Sequence, residues 1–311
     1  MGVRTCAARA EKEEFHPVDN EPEWPKLRMA APENAEDLSR RAEREKRALD
    51  LQRESNLEKS LAPFRVGSVP YFNAVPLTRG LEDEILFVPP SQLAEMLRRG
   101  ELDAGLVSIT EALLNDSYDV LDGIAIASLG EVFSVFLAHQ EPLEAIKVIH
   151  CDPASRTSVW LLRVLLAERG LNPQFRELTG PAAHEANVLL IGNPAIEFRR
   201  APHQHMIWDL GAAWYELTKL PFVYAVWALQ RGKETEGLRR QLREAKDFGL
   251  ETLDYLIDHR TEYDRSFRKD YLGWHVHYHL GSDEKRGVSR FVELLRKHAG
   301  QPVFAPKYIT G

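Results

Sequence analysis

From Phe64 onward the chain alternates short apolar runs with amphipathic stretches. Phe64–Val69 reads as a strand, and Pro70-Tyr71-Phe72-Asn73-Ala74-Val75-Pro76 as a turn opening into a helix. Ile85–Val88 is a second short apolar run. Behind Pro89-Pro90-Ser91, residues Leu93, Met96 and Leu97 recur at helical spacing, with Ser91 the expected N-cap. Gly100 ends that helix and 103–107 returns to a strand pattern. The middle repeats the logic: strands at Val132–Ala138 and Ile146–His150, a helix over Thr157–Arg169, and a strand at Asn187–Ile191. Phe222–Leu229 is a strongly apolar strand. Helices are expected at Leu238–Ile257, Ser266–Leu280 and Lys285–His298. Strands alternating with helices at this spacing predict an α/β fold with a parallel or mixed sheet. Two such blocks, with the Phe222 strand returning to the first, predict two α/β lobes around a central ligand cleft. The expected bounds are 63–138 with 225–311 for one lobe and 139–224 for the other.

Residues 1–62 follow a different pattern. Pro17, Pro22, Pro25 and Pro32 punctuate a charged, apolar-poor stretch, and from Asn34 to Leu61 charges of both signs surround few apolar residues. This reads as a disordered leader, or as a solvated helix with little to pack against. Met29 is a candidate alternative start.

Composition narrows the picture. The 311 residues are 44% hydrophobic and carry a net charge of −7. No basic field exists to hold nucleic acid. No apolar run reaches the roughly 20 residues that span a bilayer, and no secretory signal pattern opens the chain. Cys6 and Cys151 are the only cysteines and sit in unrelated contexts, as expected of a reducing compartment.

Four stretches offer chemistry. Ser68-Val69-Pro70-Tyr71-Phe72-Asn73 follows the first strand, where α/β sheets bind ligands. Asn73 can grip a hydroxyl or carboxylate there, or cap the helix behind it. Ser155-Arg156-Thr157-Ser158 opens a helix, and its hydroxyls, Arg156 and outward N–H groups form an anion collar or an ordinary N-cap. Ser134 interrupts an apolar strand, as a site residue or as a strand serine bonded to backbone. Gly192-Asn193-Pro194 ends a strand, allowing close backbone approach to a ligand or making a simple βα turn. His275, His277 and His279 alternate, but their surroundings look helical. On a helix only His275 and His279 share a face, and no third ligand is evident, so no metal is expected. Asp209 and Glu111 are possible acid–base groups with no visible partner. Walker loop, dinucleotide glycine fingerprint and nucleophile elbow are all missing.

In order along the chain, Arg65-Val66-Gly67-Ser68-Val69-Pro70-Tyr71-Phe72-Asn73 and Gly100-Glu101-Leu102-Asp103-Ala104-Gly105-Leu106-Val107 resemble blocks of the chorismate dehydratases of the futalosine route to menaquinone. So do Ser155-Arg156-Thr157-Ser158-Val159, Asp209-Leu210-Gly211 and Leu220–Ala228. The resemblance runs from about Phe64 to Gly300. It implies a type II periplasmic-binding-protein-like fold and a cytoplasmic, cofactor-free hydro-lyase. That enzyme turns chorismate into 3-[(1-carboxyvinyl)oxy]benzoate, with the substrate's own enolpyruvyl carboxylate as base. It also implies Asn73 and Ser134 as active-site polar groups. Ser68, Ser155, Arg156, Thr157, Ser158, Gly192 and Asn193 would be substrate-binding. Asn193 replaces a usual Asp, and Lys219 a usual glycine. Two rival readings remain: a non-catalytic small-anion-binding protein of the same fold, and the sister enzyme that makes 1,4-dihydroxy-6-naphthoate. Nothing in the sequence bears on oligomeric state.

Overall fold

The computed structural model describes residues 35–57, 61–152 and 156–310, with the side chains of residues 35–38 and of Arg156 excepted. The expected disorder of 1–34 lies outside the described residues. Among the described residues eleven strands form two sheets: β1 (Val66–Ser68), β2 (Ile85–Phe87), β3 (Ala104–Ser108), β4 (Tyr118–Ser128), β5 (Val135–His139), β6 (Val148–Cys151), β7 (Gln174–Glu177), β8 (Asn187–Ile191), β9 (Met206–Asp209), β10 (Phe222–Gln230) and β11 (Tyr308–Ile309). The first sheet runs β11-β4-β10-β3-β1-β2, and the second β7-β6-β8-β5-β9. Each sheet mixes parallel βαβ pairs with antiparallel strands: β10 lies antiparallel between β3 and β4, and β5 antiparallel between β8 and β9. The chain therefore crosses between sheets twice, at 129–134 and at 219–221.

Helices α1 (Ala35–Leu57), α2 (Pro90–Arg98), α3 (Ile109–Leu114), α4 (Arg156–Glu168), α5 (Gly192–Arg200), α6 (Leu210–Thr218), α7 (Glu236–Glu251), α8 (Leu253–His259), α9 (Arg265–Asp270) and α10 (Ser282–His298) complete the elements. Among the described residues no helix is long and apolar enough to cross a membrane.

Several expectations need correction. Val135–His139 pairs in the second sheet, and Phe222, Val223 and Tyr224 already belong to the first. Helix α2 starts at Pro90, capped at Pro89 without a side-chain bond, so Ser91 is inside the helix. The longest strand, β4, has no counterpart in the sequence reading. Its apolar positions are interrupted by Asp119, Asp122 and Gly123, the last at φ +81° where its pairing with β10 shifts register. The helix expected over Ser266–Leu280 stops after a π turn at Tyr271–His275. His277 then bridges to Ala127 as extended backbone and its ring meets Glu284 at 3.1 Å.

The charged segment before the first sheet also has a partner. From Ser39 to Leu49 α1 is exposed, with Arg41 and Glu45 paired along its face. Its last turns differ: Leu57 is 2% exposed, and Leu61 beyond it is buried. Arg53 pairs with Glu244 and Glu251 of α7 and lies 5.2 Å from the Phe248 ring centroid.

Helix α7 in turn presses on the 3-10 turn Phe72–Leu77, which carries Asn73. A Cβ at Gly249 would run into the Pro76 carbonyl, whereas one at Gly237 of the same helix would only touch Phe64 at 3.7 Å. Gly249→Ala should therefore lower stability by about 1–3 kcal/mol through overpacking. Gly237→Ala should be neutral or slightly stabilising. Urea denaturation of the two variants checks the contrast.

Candidate active site

A cavity opens at the carboxyl ends of β1 and β3, between the two sheets; with its mouth it holds about 640 Å³ of empty space. The first sheet contributes Val69, Tyr71 and Asn73 after β1, Leu106 and Ser108 of β3, Ile126 of β4, and Tyr224 and Ala225 of β10. From the other side come Val132, Val135, Thr157 and Ser158 of α4, and Ile191 and Gly192. Among the described lining residues every polar side chain is an amide, an alcohol or a phenol. Burial, with the nearby Asp152 carboxylate, pushes the Tyr71 phenol up to about 12. Burial also holds Tyr224 well above the ordinary phenol range, and its hydroxyl meets Ser128 Oγ at 3.0 Å. Both phenols stay neutral at physiological pH.

Of the residues singled out in the sequence, Asn73, Thr157, Ser158 and Gly192 meet in this cavity. Asn73 does not cap: it lies inside the 3-10 turn, and its Oδ1 is buried with no hydrogen-bond partner. Thr157 and Ser158 sit in the first turn of α4, where free N–H groups and the helix dipole favour an anion. Thr157 Oγ1 also accepts from Thr110 N at 3.1 Å, joining α4 to α3 across the two sheets. Ser155 and the Arg156 side chain lie outside the described residues. Gly192 has φ +62°, and a Cβ there would press on the Tyr71 ring at 3.1 Å. A positive φ and a close aromatic contact both favour glycine.

Three other residues stand behind the wall. Ser68 is fully buried, with an unpartnered Oγ, but does not line the cavity. Asn193 faces a neighbouring hollow, where its Oδ1 accepts from Phe72 N at 3.0 Å. It clasps the first strand–turn unit to α5. The oxygen it uses is one that an aspartate would equally supply. Ser134 is fully buried, and its Oγ accepts from the Tyr271 hydroxyl at 2.7 Å.

Ser134 owes its place to an unusual turn. Phe133 has φ +69°, and Ser134 N donates to Val132 O at 2.8 Å, an i to i+2 bond around a strained centre. Asp209 holds this turn. Its Oδ1 accepts from Val132 N and its Oδ2 from Phe133 N, at 3.1 and 2.9 Å. The same carboxyl caps α6 through Gly211 N and Ala212 N, both at 3.0 Å. Burial pushes the Asp209 carboxyl up, and the Ala212, Val132 and Phe133 amides oppose that shift. Arg199 lies 3.5 Å from Asp209 Oδ2 and 4.1 Å from the Phe133 ring centroid. Asp209 is thus a structural acceptor rather than an acid–base group facing the cavity. Glu111 is likewise committed: it is 1% exposed and receives Arg98 through both oxygens at 3.0 and 2.8 Å.

Sequence reasoning missed Tyr224, Tyr271 and the anchoring role of Asp209. Each sits inside a pattern with a simpler use: an apolar strand, a helical stripe beside the histidines, and a charged residue before a helix. The Asp-Leu-Gly start of α6 was the available signal, since Asp is a strong N-cap. Among the described residues no group of His, Cys, Asp or Glu is gathered as for a metal ion.

The chain's relatives agree with this architecture. The family model for menaquinone biosynthesis matches residues 64–297. The chorismate dehydratase of Thermus thermophilus is 33% identical over 275 residues, covering 80% of this chain and 99% of that protein. Among solved structures, protein AF1704 of Archaeoglobus fulgidus superposes with a TM-score of 0.60 at 20% identity, covering 75% of this chain and 97% of that one. The alkanesulfonate-binding protein SsuA of Xanthomonas axonopodis pv. citri, bound to MOPS, gives a TM-score of 0.55 at 15% identity, over 80% and 98% of the two chains. The fold is that of the type II periplasmic binding proteins.

Replacing Asp209 by alanine should leave the Val132 and Phe133 amides without their acceptor. The expected cost is about 3 kcal/mol of unfolding free energy, from buried donors left unpaired. Chemical denaturation measures it.

Proposed function

We propose, since this chain belongs to the menaquinone-biosynthesis family, that it removes water from chorismate and releases 3-[(1-carboxyvinyl)oxy]benzoate. The observation that carries this reading is the uncharged wall. Among the described lining residues no carboxylate or imidazole is available to take a proton, and the phenols are held neutral. A reaction run here draws its base from the substrate. Chorismate supplies one in its enolpyruvyl carboxylate, close to the C3 proton. Loss of that proton puts the C3–H electron pair into the ring, and the C4–O bond then breaks. Hydroxide and the C3 proton leave as one water, and the ring becomes aromatic.

The protein's part is then to hold and orient. A substrate carboxylate lies at the first turn of α4, against the Thr157 and Ser158 hydroxyls. Asn73, with an unpartnered buried oxygen in the wall, takes the C4 hydroxyl. Gly192 lets Tyr71 close over the ring. A cytoplasmic location goes with an intracellular metabolite as substrate, and no cofactor is required by these steps.

Incubation with chorismate should yield a product lighter by one water, seen by mass spectrometry. Binding without conversion would point instead to a solute-binding protein of the same fold. Asn73→Ala should lower kcat by roughly 100-fold, the scale of losing one preorganised polar contact. With no carboxylate or imidazole among the described lining residues, kcat should stay flat from roughly pH 6 to 9. A bell with two limbs would reveal a titrating protein pair.

A further inference from the structure

Tyr271 has no part in the steps above. It is fully buried and outside the cavity wall, in the π turn that follows α9. Its ring lies between two others, 6.0 Å from Phe72 and 5.5 Å from Phe267, each nearly parallel to it. Such a packed ring has no freedom to swing, so its hydroxyl is a fixed point.

Among the described residues that hydroxyl donates to Ser134 Oγ at 2.7 Å, and the Asn73 side chain is the other polar group that acts on it. A phenol owns a single proton. With that proton spent on Ser134, the phenolic oxygen can only accept from Asn73. The Asn73 amide must therefore offer Nδ2 to Tyr271. The other end agrees: Asn73 Oδ1 is buried and has no partner among the described residues. The three side chains form a one-way series, from Asn73 N–H to the Tyr271 oxygen, and from the Tyr271 O–H to Ser134.

We propose that Tyr271 is a positioning residue which sets the direction of the Asn73 amide, so that the cavity is met by a hydrogen-bond acceptor selective for a hydroxyl-bearing substrate. Ser134 belongs to the same device, as the acceptor that draws the phenolic proton away from Asn73. This deepens the dehydration reading and rests on it for the identity of the hydroxyl, which is the one at C4. Reversed, the amide would present N–H groups and favour a carboxylate or carbonyl in its place.

Tyr271→Phe keeps the stacked ring and removes only the oxygen. Asn73 then loses its reason to point one way. Three measurements separate the possible outcomes. In the ligand-free protein, the ¹⁵N side-chain amide signal of Asn73 should shift between wild type and Tyr271→Phe; an unchanged signal overturns the proposal without reference to any substrate. In binding titrations, wild type should favour chorismate over an analogue with hydrogen in place of the C4 hydroxyl, by roughly tenfold, the scale of a hydrogen bond inside a protein. Tyr271→Phe and Ser134→Ala should each abolish that preference. In turnover, the two single variants and the double variant should lose kcat to a similar extent, because all three break one series. Additive losses, or a retained preference for the hydroxyl in Tyr271→Phe, defeat the idea. If wild type leaves chorismate unchanged, the dehydration reading falls, and the amide signal still decides the role of Tyr271.

Discussion

Asp209 accepts hydrogen bonds from four backbone amides drawn from two distant parts of the chain, Val132 and Phe133 on one side, Gly211 and Ala212 on the other. Both parts adjoin places where the chain passes between the sheets. The carboxyl therefore joins the start of β5 to the start of α6, and it does so at a turn that L-residues adopt only under strain. Successive N–H groups around a left-handed residue form a natural cup for an anion. The side chain in the cup is the protein's own. Without it the Val132 and Phe133 amides lose their acceptor, and the strained turn that directs the serine after them is weakened. Tyr271 and Asn73 depend on that direction in turn.

Around this anchor short polar contacts link the two sheets beside an apolar core that both share, in which Val135, Leu137 and Leu189 of the second sheet join Val120, Ala125 and Val226 of the first. Phe72 N reaches Asn193, Thr110 N reaches Thr157, and Gly192 N reaches the Ser134 carbonyl at 2.9 Å. Each of these contacts adjoins a residue of the cavity wall. A ligand that moves Asn73 or the first turn of α4 also pulls on the contacts that keep the sheets together. Single hydrogen bonds are worth about 1 kcal/mol each.

The sequence was most informative where local rules and tertiary structure agree. The β1–α2–β3 block, α4, β8 and β10 were all legible, because apolar periodicity there coincides with burial. Strand β4 was not, since Asp119, Asp122 and Gly123 break its pattern and it is sustained by β10 on one side and β11 on the other. The helix expected after Ser266 fails for a related reason: His277 finds a backbone partner in Ala127 that no local signal announces. The site divides along the same line. Asn73, Thr157, Ser158 and Gly192 follow strands or open helices, where ligand contact is a general property of α/β folds. Tyr271 acts through a hydrogen bond to a residue 137 positions away. Nothing in its neighbourhood distinguishes such a tyrosine from core filling.

The family model matches residues 64–297. The folded body is larger at both ends. Leu57 would touch a Cβ at Gly80 at 2.7 Å, and Arg53 grips the helix that buttresses the Asn73 turn. At the other end Lys307 O receives Val120 N at 2.8 Å, and β11 covers the free side of β4. The matched region thus contains the described cavity wall, and the packed structure extends beyond it at both ends. A fragment trimmed to the shared region would keep every cavity-lining side chain and still lack the braces that hold them still.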